Sequence, residues 1–141
     1  MQVNVDLNQL VAGAGDAIMV CDAEGAIVLW NAASERIFGF TEAEALGKSL
    51  DLIIPQRQRQ RHWDGYQKTM ETGITKYGAD LLRVPALHKD GHTLSIAFTV
   101  SMLFSEDRKV TGIVAIVRDE TVRFAEERKL RARLVEVEAK I

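Results

Sequence analysis

The sequence holds a single cysteine, Cys21, among 141 residues. That excludes a disulfide framework and any zinc or iron–sulfur site built from several thiolates. Long apolar runs are missing too: nothing approaches the roughly 20 residues that cross a bilayer as a helix. The start, MQVNVDLNQL, lacks the basic and long apolar regions of a secretory leader. A soluble, cytoplasmic chain with no membrane contact is the expectation, any membrane spans of a parent protein lying elsewhere. Neither sign of charge dominates. The net charge of −2 gives no general attraction to nucleic acid or anionic lipid. Gly13-Ala14-Gly15 is not followed by Lys-Ser or Lys-Thr, so it is no phosphate cradle. Ser34, Ser49 and Asp51 have no glycine-rich elbow or paired histidine, so nothing marks nucleophilic catalysis. A regulatory or binding module is expected rather than an enzyme.

What is present is an ordinary globular balance, 47% apolar and 27% charged residues. One domain with a core of its own fits that length. Asp6 caps a short helix over residues 6–12, which Gly13-Ala14-Gly15 ends. Two apolar strands follow, at 17–21 and 26–30, joined by Asp22-Ala23-Glu24-Gly25 as a hairpin. Cys21 reads as a small buried hydrophobe at a strand end. Asn31 caps a helix over 32–38 that Gly39 breaks, and Thr41 with Glu44 forms a capping box for another short helix.

Pro55 then opens a longer helix, to about residue 71. Its first half is cationic, and Arg57, Arg59 and Arg61 read as a solvated face, since no aromatic platform or second basic stripe accompanies them. His62, Tyr66, Thr69 and Gly73 recur at helical spacing on one stripe, with Trp63, Gln67 and Met70 beside it. An imidazole on such a stripe can ligate a metal or haem iron. It can equally be a hydrogen-bonded histidine at a core edge. His88 and His92 are four apart, but the turn Lys89-Asp90-Gly91-His92 separates them, so they are no helical metal pair and read as turn-surface residues.

Extended segments make up the rest of the domain. Residues 75–87 are interrupted by Gly78 and Pro85. In 93–104, Leu94, Ile96, Phe98, Val100 and Met102 alternate with Ser95, Ala97, Thr99 and Ser101. Residues 110–117 are almost continuously apolar, as in the middle of a sheet. The order predicts an α+β fold: a five-stranded antiparallel sheet with helices on one face. The face bearing Phe98 and Val100 is expected to look toward the His62 helix. From residue 120 the chain is charged, with neither glycine nor proline. Leu134 and Ile141 then fit heptad position a, and Leu130 and Val137 fit position d. A parallel dimeric coiled coil is expected there, the alternative being an amphipathic helix packed on its own domain. The boundaries expected are 1–13 for an N-terminal helix, 14–119 for a sensor domain and 120–141 for a signalling helix.

Several segments together resemble a known family. They are Asp16-Ala17-Ile18-Met19-Val20, the run from Leu29-Trp30-Asn31 through Phe38-Gly39-Phe40-Thr41, and Glu44-Ala45-Leu46-Gly47-Lys48. Lys89-Asp90-Gly91 and Val117-Arg118-Asp119-Glu120-Thr121 complete the set. The chain resembles a PAS domain with its exiting signalling helix, and within that family the haem-binding oxygen sensors of the FixL type, with which it shares Pro-x6-His from Pro55 to His62. The resemblance implies a sensory module of a sensor-kinase or cyclic-dinucleotide protein, acting as a homodimer on a C-terminal effector domain outside this chain. By position it makes His62 the axial ligand of haem b, with Tyr66 on the same stripe, and sets Lys68 and Lys76 near the propionates. Phe98 and Val100 fall on the distal wall, and Asp119 and Thr121 at the relay into the output helix. The sequence departs from the sensors where they carry a distal arginine: Leu82 stands there and cannot donate a hydrogen bond. An apolar distal side favours CO or NO over oxygen. A flavin–thiol photosensor is disfavoured, because no cysteine lies on the helical side of the pocket. A module without haem, either empty or holding a flavin or a small organic ligand, is the alternative.

Overall fold

The computed structural model describes residues 4–75 and 80–140. The N-terminal helix α1, Leu7–Gly13, starts where the Asp6 carboxylate accepts from the Asn8 and Gln9 amides. Strands β1 (Ala17–Asp22) and β2 (Ile27–Trp30) form the expected hairpin. The Asp22 side chain accepts from the Glu24 and Ala26 amides within its turn. Helix α2, Ala32–Phe38, is capped by Asn31 and closed by Gly39 at φ 83°. Helix α3, Glu42–Ala45, carries the full capping box of Thr41 and Glu44. A 3-10 turn, Leu50–Ile53, leads through Pro55 into α4, Gln56–Thr72. Strands β3 (Leu82–Leu87), β4 (Thr93–Phe104) and β5 (Val110–Asp119) form a meander, and α5, Thr121–Ala139, leaves it.

The five strands make one antiparallel sheet in the order β2-β1-β5-β4-β3. Pro85 is tolerated because β3 is an edge strand, with one side free of ladder partners. Gly78 and Lys76 lie outside the described residues. One face of the sheet carries Ala17, Met19 and Cys21 from β1, Leu94 and Ile96 from β4, and Val117 from β5. Onto it pack Trp30, Ala33 and Phe38, then Ala45, Ile53 and Ile54, in one buried cluster. Leu50, Leu52, Tyr66 and Phe98 pack against that cluster, half-buried. The face of Phe98 is therefore the helix-covered face, as the alternation in β4 predicts. The other face carries Ile116 and remains 42% exposed at that residue. Among the described residues no helix is long and apolar enough to cross a membrane.

Asn31 ties several of these elements together over distance. Asn31 is 6% exposed. Its Oδ1 accepts from the Ile18 amide at 2.9 Å and from the Ser34 amide and hydroxyl, and its Nδ2 donates to the Val11 and Asp16 carbonyls. A helix cap thus also joins α1, β1 and α2.

Candidate functional site

Helix α4 is the element that could carry a ligand, and three of its side chains fix it. Trp63 Nε1 donates to Asp51 Oδ1 at 2.7 Å. The Tyr66 hydroxyl donates to the Asp22 carbonyl at the end of β1. Arg59 Nε donates to the Ile54 carbonyl at 3.0 Å, and its Nη2 reaches the Asp51 carbonyl at 3.3 Å. Arg57 and Arg61 are exposed, as expected, while Arg59 is not a free surface cation: it closes the bend before α4. The helix has no side-chain cap at Pro55 and ends at Gly73, φ 68°. Trp63 also lies over the β1–β2 turn. A Cβ on Gly25 would stand 2.4 Å from its ring, and Gly25 has φ 83°.

His62 sits between these anchors. Its ring meets Trp63 edge-on at 4.5 Å between centroids and lies 5.8 Å from Tyr66. Nδ1 is shielded from solvent and has no hydrogen-bond partner among the described residues. The same holds for Oε1 of Gln58, one helical turn earlier. Burial pushes the His62 pKa below its ordinary value, and the Asp51 charge pulls weakly the other way. The imidazole is therefore neutral at pH 7, the form that ligates metals. Burial likewise raises the Tyr66 hydroxyl, with lesser contributions from Cys21 and Asp22, so Tyr66 serves as a hydrogen-bond donor. The Cys21 thiol is pushed up to about 12, first by burial and then by the Asp22 charge, and is inert.

The sheet brings together the other positions singled out in the sequence. Leu82 pairs with Phe98, Phe98 with Val117, and Val100 with Ala115. Leu82, Phe98 and Val100 are half-buried on the helix-covered face, and Arg83, next to Leu82, is exposed and lines a groove on the opposite face. Lys68 is exposed on α4. Lys76 and Ile141 lie outside the described residues. Trp30 is buried in the core and donates through Nε1 to the Phe40 carbonyl at 2.9 Å. The sequence did not single out Trp63, Asp51 and Asp22 as partners. Trp63 adjoins His62, but its anchor is 12 residues back.

A haem b can be tested against these residues. The axial donor is present: a neutral histidine on α4 whose Nδ1 is buried and has no partner among the described residues. The space beside α4 is smaller. The groove there measures about 280 Å³ and is lined by Ala23, Glu24, Trp63, Tyr66, Gln67, Met70 and Glu71, with His62 outside it. That is below the roughly 300–1,000 Å³ of small-molecule sites.

At the far end of the sheet, the junction with α5 is closely bonded. The Thr121 hydroxyl accepts from the Ser95 amide at 3.0 Å and donates to the Asp119 carboxylate. The Glu120 amide donates to the Ser95 carbonyl at 2.8 Å, and Asp119 also accepts from the Thr121 amide at 2.9 Å. These bonds fix the start of α5 to β4. Beyond them Leu130, Leu134 and Val137 are 64%, 57% and 56% exposed.

A family model described as the PAS fold matches residues 6–119. The chain belongs to the PAS family. Among relatives, an uncharacterized protein of Azorhizobium caulinodans is 34% identical over 82% of the chain. Sensor protein FixL of Bradyrhizobium diazoefficiens is 30% identical over 89% of it. The chain spans only 16% and 24% of those two proteins. The PAS domain of a Colwellia psychrerythraea protein has a similar structure, with a TM-score of 0.71 and 25% identity, covering 82% of this chain and 94% of that one.

Proposed function

We propose that this chain is the sensory PAS module of a larger signalling protein, holding haem b through His62 and responding to a diatomic gas or to redox state. The observation that carries this reading is the His62 nitrogen on α4, buried, neutral and without a hydrogen-bond partner among the described residues. The FixL relative is a sensor protein by name, and it matches most of the chain. Bound there, the haem iron would supply an open coordination position or a redox centre. The chain's own residues do the remaining work. His62 supplies the axial nitrogen, and Trp63 and Tyr66 set the position of its helix. Lys68, and Lys76 by sequence, supply cations for two carboxylates. Leu82 offers no donor to a polar diatomic ligand, so CO or NO is favoured over oxygen.

A change in how α4 sits on the sheet passes through β4 and β5 to the bonds joining Ser95, Asp119 and Thr121, and so to α5. The transmitted energy need only be on the order of 1–3 kcal/mol. Helix α5 pairs with a second copy, and an effector in a parent protein reads the pairing.

The small groove beside α4 favours a second reading: a PAS module that dimerises and relays without haem, empty or holding a smaller organic ligand or flavin. Titration of the purified chain with haemin separates the two. A sharp Soret band, saturating at one haem per chain and lost in His62→Ala, supports the first. A featureless, non-saturating titration moves the assignment to the second. With haem bound, relative CO and oxygen affinities then test Leu82, and Leu82→Arg is expected to raise oxygen affinity.

A further inference from the structure

We propose that the turn between β3 and β4 is a binding site for a late first-row divalent metal ion, zinc or nickel, formed by His88, Asp90 and His92. One ligand atom from each of the three residues lies within 4.8 Å of the others. The two imidazoles are stacked, with centroids 4.6 Å apart and planes 21° from parallel. Between them stands one carboxylate oxygen: Asp90 Oδ1 is 3.2 Å from His88 Nδ1 and in contact with His92 Nδ1. The Asp90 amide donates to His88 Nδ1 at 3.1 Å. That bond marks the nitrogen as an acceptor, and a bound ion would take the place of the amide on its lone pair.

The geometry needs little adjustment. Ligand bonds of about 2.0–2.2 Å to zinc place three donors roughly 3–3.5 Å apart. A set spread over 4.8 Å reaches that by side-chain rotation alone. The backbone beneath is already fixed. The His88 amide donates to the His92 carbonyl at 3.0 Å, and Gly91 takes φ 94°, which the tight turn requires. The Lys89 amide donates to the Phe38 carbonyl at 2.9 Å, and Lys89 Nζ pairs with Glu44 at 2.5 Å. The His88 ring lies on Gly39, where a Cβ would stand 2.6 Å away, so the end of α2 sets its orientation. Asp90 and His92 are exposed and can close on the ion. Two imidazoles with one carboxylate suit zinc or nickel rather than magnesium or calcium, which take oxygen ligands. The remaining coordination positions face solvent. An ion there would brace the β3–β4 turn, whose His88 ring already rests on Gly39 after α2. Nothing in this site depends on His62 or on haem.

The test is calorimetric titration of the untagged, chelator-treated chain with Zn²⁺, repeated with Ni²⁺ by absorption. Saturable uptake of one ion per chain is expected. It should weaken at least about tenfold in His92→Ala and in Asp90→Asn and stay unchanged in His62→Ala. His92 and Asp90 are exposed, so both variants should keep the circular dichroism of the parent chain. Absence of saturable uptake overturns the assignment, and so does uptake that survives either substitution or is lost in His62→Ala.

Discussion

A histidine that burial keeps neutral leaves a signature in stability. The His62 pKa lies below its ordinary value of 6.5, chiefly through desolvation. Between 6.5 and that lowered value the unfolded chain binds a proton that the folded chain does not. The contribution is therefore fully present above 6.5, and stability is lost as pH falls through this window. Urea unfolding of the haem-free chain is expected to show it, and His62→Gln should flatten it. Equal pH slopes in the two proteins would mean that His62 is solvated in the native state. Asn31 gives a larger effect. Asn31→Leu leaves the Ile18 and Ser34 amides and the Asp16 carbonyl without their side-chain partner and removes one of two donors to the Val11 carbonyl. The expected cost is about 2–4 kcal/mol in urea unfolding. A loss below about 1 kcal/mol would show that water replaces the amide. The cap on α2 was readable from Asn31 and its neighbours, because Asn31 to Ser34 is a local bond. The bonds to Val11 and Asp16 were not, since they cross 20 and 15 residues and leave no periodic trace.

At the level of elements, α4 and the β1–β2 turn form one clamp. Gly25 permits it twice over, by its φ of 83° and by the missing Cβ that would meet Trp63. Gly25→Ala therefore costs left-handed strain, about 1–2 kcal/mol, and a collision with the indole. In a Trp63→Ala background only the strain remains. A double-mutant cycle is expected to show a coupling of about 1–2 kcal/mol. If Gly25→Ala costs the same in both backgrounds, the indole does not press on the turn. The contrast in legibility is physical. The bounds of α1, α2 and α3 were readable because caps and left-handed glycines act within four residues: Asp6, Asn31, Gly39, Thr41 with Glu44. The strands were readable because alternation in 93–104 reports burial on one face and the apolar runs at 17–21, 26–30 and 110–117 are bounded by turn residues. How α4 is seated was not, because Tyr66 bonds to Asp22 across 44 residues and Trp63 to Asp51 across 12. Helical spacing located His62 and the family likeness gave it a role, but neither shows that its Nδ1 has no partner among the described residues or that the groove beside α4 is small.

At the scale of the whole molecule, α5 is a helix that its own domain does not cover. Bonds from Ser95 to Glu120 and Thr121 hold the first turn of α5. After that the helix runs for 19 residues in total with none buried. Its apolar residues Leu130, Leu134 and Val137 fall on one stripe and stay more than half exposed. The ion pair of Arg123 with Glu127 at 3.4 Å adds only a few tenths of a kcal/mol to such a helix. A charged helix with one uncovered apolar stripe gains most of its stability from packing, and a second copy in parallel register covers leucine with leucine and valine with valine. The expected outcome is that the chain sediments as a dimer and that Leu134→Lys with Val137→Lys converts it to a monomer. Helical circular dichroism should fall by about the content of α5, while the folded sheet stays intact. A dimer that survives both lysines would place the contact elsewhere. The candidates are then Leu7 and Leu10 of α1, 69% and 60% exposed, and the open sheet face at Ile116. In that case the pairing of α5 could not be the signal, and the bonds at Asp119 and Thr121 would serve only to end the sheet.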